Sequence, residues 1–163
     1  MEQYSFLINK YWKKGLLLDT KPLLLLLVGA CDANRFKDIN RIAGYTKDNY
    51  HLLLDLLESF ERIITTPNIL TEASNLLRQA HLSYDDYLIV TEYVKSFKEE
   101  YIPSAKVVSH DRFYQFGLAD IATLDCARGK YLVLTADAPL YGYLVNMNVD
   151  AINFNYILDI GNL

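Results

Sequence analysis

Cysteine and glycine are scarce in this chain, and several familiar site motifs are missing. Its 163 residues include two cysteines, Cys31 and Cys126, and seven glycines. Two cysteines exclude a disulfide framework, and without a CxxC pair the usual signature of a zinc site is absent. The glycine patterns that cradle phosphates, the Walker motif and GxGxxG, do not occur either. We therefore expect a cytoplasmic protein with two reduced thiols that pack as small apolar groups.

Long hydrophobic runs and an excess of positive charge are also lacking. Asp19, Lys21 and Pro22 divide the leucine-rich stretch "GLLLDTKPLLLLLVGA" into pieces far shorter than the roughly 20 apolar residues of a membrane span. The net charge is -4, so a polyanion such as nucleic acid would need a local basic patch or a metal ion. With 52% hydrophobic and 22% charged residues, the composition is that of one packed domain that does not bind a membrane.

Apolar runs alternate with amphipathic segments along the chain. Four runs have the pattern of strands: "GLLLDT", "RIITTP", "YLVLTAD" and "VDAINF". The second ends in Thr66, a good helix N-cap, and Pro67, a good first helical residue. Helices are predicted for "DNYHLLLDLLESF" and "SYDDYLIVTEYVKSFKEEY". This alternation predicts an α/β fold, with a central parallel sheet of four or five strands and helices on both faces. Residues 1–14 are predicted to form an N-terminal arm or helix, and residues 15–163 the domain itself.

Acidic residues stand at places where ligands bind in such folds. Asp19 and Asp137 each end an apolar run, and the carboxyl ends of parallel strands share one edge of the sheet. Glu72 falls at the border of an apolar helical stripe, and Asp120 lies near the start of another helix. The three aspartates also have a structural interpretation, because an Asp can close a strand through an Asx turn and an acid in a first helical turn, such as Asp120, favours the helix dipole.

The order of these segments resembles that of the PIN-domain nucleases, and of their toxin-type ribonucleases in particular. The resemblance rests on "LLLDT", "ITTPNILTEASNLL", "FGLADIATLDCA" and "YLVLTADAPL", which occur in that order. It implies that Asp19, Glu72, Asp120 and Asp137 form one catalytic pocket that binds Mg2+ or Mn2+ and cleaves RNA. Thr135 stands where the family often has a hydroxyl residue that supports the last acid. The toxins of this family act as homodimers and are held inactive by a small antitoxin protein, so both partners are expected by analogy.

Carboxylates suit this chemistry, because Mg2+ and Mn2+ are hard cations that prefer oxygen ligands. Within the resemblance, Asp19 and Asp137 would bind a first metal ion, Asp120 would help to bridge it, and Glu72 would hold a metal-bound water or a second ion. Two other interpretations stay open. A PIN-like scaffold could keep the fold without catalysis, and a haloacid-dehalogenase-like phosphatase also begins with an Asp after its first strand. The phosphatase needs a second Asp two residues later, where this chain has Lys21.

Overall fold

Five parallel strands form a single central sheet in the computed structural model, which describes residues 4–161. The strand order is β3-β2-β1-β4-β5, and every neighbouring pair is parallel. This arrangement confirms the predicted fold class, a parallel α/β sheet flanked by helices. The strands are β1 Leu16–Leu18, β2 Ile63–Thr65, β3 Lys98–Glu99, β4 Leu132–Thr135 and β5 Ala151–Asn153.

Helices connect the strands and cover the sheet. The α-helices of residues 4–161 are α1 Ser5–Tyr11, α2 Thr20–Asp32, α3 Lys47–Leu57, α4 Pro67–Leu77, α5 Tyr84–Ser96, α6 Ser104–Val108, α7 Phe113–Ala127, α8 Ala138–Asn146 and α9 Phe154–Gly161. Short 3-10 helices cover Ala33–Asp38 and Arg78–Ala80. Helix α2 packs against α3, α4 and α5, whereas α7 packs against α6 and α8 and also contacts α4. Because crossovers between parallel strands are right-handed, the helices from α2 to α5 lie on one face of the sheet and those from α6 to α8 on the other. No helix among residues 4–161 is both long and apolar enough to cross a membrane.

The leucine-rich segment forms the centre of the core. All three residues of β1 are fully buried, as are the apolar residues of α2 from Leu23 to Val28. A helix that is apolar on all sides can only lie inside the protein, so α2 fills the space between β1 and its neighbouring helices. The first strand and the first long helix therefore fix the position of Asp19, which lies between them.

The N-terminal segment forms helix α1, and this helix contacts the domain. Tyr11 is buried in the core, and its hydroxyl donates a 2.8 Å hydrogen bond to a carboxylate oxygen of Asp150. The Nζ of Lys10 lies 2.6 Å from the same oxygen. Residues 1–3 of the predicted arm lie outside the described part of the chain.

The segment after α5 corrects one sequence prediction. Ser83 and Asp86 form a capping box at the start of α5, but the helix ends at Ser96, whereas the sequence pattern predicts that it continues to Tyr101. The chain instead enters the short edge strand β3, whose two residues are exposed. The amide of Glu100 then donates to the carbonyl of Thr65 at 2.9 Å. Pairing with β2 therefore overrides the helical pattern, and an exposed strand has no apolar alternation by which it could be recognised.

Candidate functional site

A cleft of about 850 Å3 opens at the carboxyl ends of β1 and β4. These strands are neighbours in the sheet, although the chain visits β2 and β3 between them. At such a reversal of strand order the flanking helices lead away to opposite sides and leave a crevice, where ligands of open α/β sheets bind. The lining of the cleft includes all four predicted acids, Asp19, Glu72, Asp120 and Asp137.

Asp19 lies directly after β1 and caps helix α2. Its Oδ1 accepts the amide of Thr20 at 2.6 Å, and its Oδ2 accepts the hydroxyl of Thr135 at 2.6 Å. Only 6% of the residue is exposed. Burial raises the pKa of Asp19, while the hydrogen bonds from Thr135 and Thr20 oppose that rise. The carboxyl group is thus held inside the protein by donors at two neighbouring strand ends.

Thr135 and Asp137 continue this arrangement after β4. The Oγ1 of Thr135 accepts the amide of Asp137 at 3.0 Å, so one buried hydroxyl connects the two strand ends. Asp137 caps helix α8, and its Oδ1 accepts the amide of Leu140 at 2.8 Å. Both aspartates therefore serve as helix N-caps, a structural role that differs from the predicted Asx turn, in which the side chain accepts the amide two residues on. Within residues 4–161, the other oxygen of Asp137 makes no hydrogen bond.

Glu72 projects from α4 and is held by two groups that the sequence analysis did not select. Its Oε2 accepts the hydroxyl of Thr20 at 2.8 Å, and its Oε1 forms an ion pair with the guanidinium of Arg41. The Arg41 side chain is 50% exposed and that of Glu72 is 32% exposed, so the pair lies at the open side of the cleft. Arg41 thus partly neutralises an otherwise acidic lining.

The loop that carries Arg41 is fixed on both sides of it. Ile39 and Ile42 are fully buried, and the hydroxyl of Tyr45 donates to Oδ1 of Asn155 at 2.8 Å. These anchors hold Arg41 beside the cleft, although its side chain is half exposed. Apolar residues recur at every third position of this loop and indicate which side chains are buried, but that pattern carries no signal that would place Arg41 at the site.

Asp120 lies on α7, just after a break in that helix. Gly117 has a φ of 80°, a conformation that favours glycine, and Asp120 lies in the first turn of the part of the helix that follows. Burial, followed by repulsion from Asp19, Asp137 and Glu72, raises the pKa of Asp120 to about 7, and Arg41 opposes this rise. Asp120 makes no side-chain hydrogen bond within residues 4–161. Its carboxyl group is therefore the least compensated of the four.

The side chains of the cleft carry the kind of atoms that bind a hard cation, but they are not arranged around one. Carboxylates, hydroxyls and amides provide oxygen donors, and hard divalent cations prefer these. As they stand, no three His, Cys, Asp or Glu side chains of residues 4–161 are grouped closely enough to hold a metal ion. The contacts above give the reason, since Glu72 is bound to Arg41 and Asp19 to Thr135. A cation among these acids would have to replace the ion pair of Glu72.

The cleft can hold an anionic ligand only through a few groups. Arg41 and Lys21 are the cationic residues in its lining, and they stand against four acids. A phosphate group would therefore need either these two side chains or a bound cation to offset the carboxylates. Comparisons of the chain with protein-family models, with curated proteins and with solved structures found no match.

Proposed function

We propose that this chain is a metal-dependent ribonuclease of the PIN type, which hydrolyses phosphodiester bonds of RNA with Mg2+ or Mn2+. One observation carries the proposal: four acids from four separate parts of the chain line one cleft at the switch point of the sheet. Acids placed together repel one another, and the pKa of Asp120 rises to about 7 first through burial and then through repulsion from the other three acids. Such an arrangement costs folding stability, and a bound cation would remove the cost.

The acids Asp19, Glu72, Asp120 and Asp137 would hold the cation. When bound, it would polarise a phosphate oxygen and lower the pKa of a water molecule for attack on phosphorus. The chain's own residues would orient the reactants. Thr135 fixes the rotamer of Asp19, and the N-terminus of α8 fixes Asp137. Arg41, once released from Glu72, would bind a phosphate oxygen through its planar guanidinium group.

The resemblance to toxin-type PIN ribonucleases extends the proposal to partners. A homodimer and a small antitoxin protein are part of it by analogy alone. The second candidate is a PIN-like scaffold that binds RNA or protein without catalysis. The capping roles of Asp19 and Asp137 and the ion pair of Glu72 favour this candidate, because each gives an acid a structural reason to be present.

Cleavage of RNA separates the two candidates. We expect purified protein to cleave single-stranded RNA with Mn2+ or Mg2+ and to stop when EDTA is added. Asp137→Asn should reduce the rate by roughly a hundredfold or more, as the loss of one group of a preorganised electrostatic site does. Asn is as good an N-cap as Asp, so the fold of this variant should survive.

Asp125→Asn is the matched control, because Asp125 lies on α7 with Asp120 but does not line the cleft. It should cleave at the wild-type rate. Wild-type turnover by Asp137→Asn, with a folded protein and EDTA-sensitive activity, would contradict the proposed site.

A further inference from the structure

The two walls of the acidic cleft differ in chemistry. Helix α4 contributes polar side chains beside Glu72, namely Asn68, Thr71 and Asn75. Helix α7 contributes Phe116 and Leu118 beside Asp120. A simple phosphate or metal site has no use for an apolar wall, so the cleft fits a ligand that is flat and apolar on its faces and polar at its edges.

Phe116 has a firmly supported ring. It stacks on Tyr143 with ring centroids 4.5 Å apart and an interplanar angle of 14°. The ring of His110 meets Tyr143 edge-on at 6.3 Å, which extends the stack away from the cleft. Phe116 remains partly exposed where it lines the cleft. A planar ring with one face covered and part of its surface open is a stacking platform.

The neighbourhood of Phe116 leaves room for a ligand. Gly117 follows it in the left-handed region, with a φ of 80°, and a Cβ atom placed there would meet no atom within 4 Å beyond its chain neighbours and the backbone of its own helix. Leu118 is 38% exposed on the same wall. The open space therefore adjoins both the aromatic ring and the acids of the cleft.

We infer that Phe116 stacks against an unpaired nucleobase of the strand whose phosphate lies at the four acids. The inference rests on the proposed function and adds the group that positions the strand. A nucleobase matches both walls, because its faces stack on aromatic rings and its edges form hydrogen bonds with amide side chains such as those of Asn68 and Asn75. A base within a duplex is stacked and paired already, so Phe116 selects a base that is free of both.

The first test uses the wild-type protein alone. Binding of a fluorescein-labelled single-stranded oligoribonucleotide is measured by anisotropy in Ca2+, and gels verify that the strand remains intact. The comparison strand has the same backbone with abasic residues in place of the bases. We expect the abasic strand to bind about 5- to 150-fold more weakly, the range that one lost stacking contact produces. Equal binding of the two strands, or no binding of either, overturns the inference and leaves the apolar wall to a different ligand such as a peptide.

The second test changes the ring. Phe116→Leu keeps an apolar side chain but loses the flat ring, whereas Phe116→Tyr keeps the ring. Tyr114→Leu is the control, because Tyr114 is an exposed aromatic residue on the same helix that does not line the cleft. Quenching of 2-aminopurine in the oligonucleotide reports stacking directly. We expect quenching by wild type, Phe116→Tyr and Tyr114→Leu, and its loss with Phe116→Leu.

These results keep the inference distinct from the proposed function. If quenching depends on Phe116 but no RNA is cleaved with Mn2+, the stacking site stands and the ribonuclease assignment fails. If RNA is cleaved and folded Phe116→Leu quenches 2-aminopurine as wild type does, the stacking site fails alone.

Discussion

Replacement of Asp120 by Asn tests whether the four acids repel one another, without any knowledge of the substrate. Asn has nearly the same shape as Asp but carries no charge. Asp120 makes no side-chain hydrogen bond within residues 4–161, so the change removes the cost of burying its charge and the repulsion from the other acids, and little else. We expect Asp120→Asn to be more stable than wild type in the absence of metal ions.

The pKa of Asp120 sets the magnitude of this effect. It rises from 3.8 to about 7, and each pKa unit corresponds to about 1.4 kcal/mol, which gives an upper limit of about 4 kcal/mol at neutral pH. Because the side chain is partly open to water, which screens the repulsion, we expect about 1–2 kcal/mol. For a domain of this size that gain raises the melting temperature by about 3–6 °C.

The pH dependence has a defined sign. A carboxyl group whose pKa is raised in the folded state binds more protons folded than unfolded, so its cost is absent at low pH. The cost develops as the pH rises from about 4, the unfolded pKa, to about 7, the folded pKa, and is constant above that. Wild type should therefore lose more stability than Asp120→Asn between about pH 4.5 and about pH 8.

Thermal scans in EDTA and in millimolar Mn2+ provide the assay. Wild type should be stabilised by Mn2+ through mass action, and Asp120→Asn should gain less. Asp125→Asn, on the same helix, should behave as wild type in both. A lower melting temperature of Asp120→Asn in EDTA, together with a full response to Mn2+, would refute the reasoning. Asp120 would then be an acid that serves only the dipole of its helix.

Two further predictions concern the partners of the acids. Thr135→Val removes the buried hydroxyl that donates to Asp19, so the free energy of unfolding in urea should fall by about 2–3 kcal/mol, and Thr135→Ser should restore most of it. An unchanged unfolding midpoint would show that this hydrogen bond does not support the strand ends. Arg41→Gln releases Glu72 and should change stability in EDTA by less than about 1 kcal/mol, because the pair is exposed. Arg41→Gln should lower the Mn2+ concentration at which half of the thermal shift is reached. The control Arg62→Gln, a change outside the lining of the cleft, should not lower it. Equal Mn2+ midpoints for wild type and Arg41→Gln would mean that Arg41 does not compete with the cation.

The sequence predicted those strands whose burial leaves a pattern. β1 and β4 are apolar runs, and the signals that follow β2, Thr66 as N-cap and Pro67 as first helical residue, occur where they were expected. β3 was not predicted, because its two residues are exposed and its conformation comes from pairing with β2. Whether such a strand forms depends on its pairing with another strand, and no local property of the sequence predicts that pairing.

The residues of the site also divide into those that the sequence predicts and those that it does not. The position of Asp19 and Asp137 at one sheet edge follows from strands that end in acids, a local property. Glu72 and Asp120 could be placed beside them only through the resemblance, because the four acids are far apart in the chain. Arg41 was missed, since it reaches Glu72 from a loop 31 residues away whose sequence indicates which residues are buried but not what Arg41 contacts.

The strand order also has a consequence for how the chain folds. β1 is the first strand to be synthesised, yet it pairs with β4, and the hydrogen bond from Thr135 to Asp19 spans 116 residues. Contacts of such separation require the closure of a long loop, so they form slowly and late. A nascent chain therefore has no acidic cleft until β4 and the start of α8 have left the ribosome. Until β4 pairs with it, β1 has an unpaired and wholly apolar edge, along which partly folded chains are expected to aggregate.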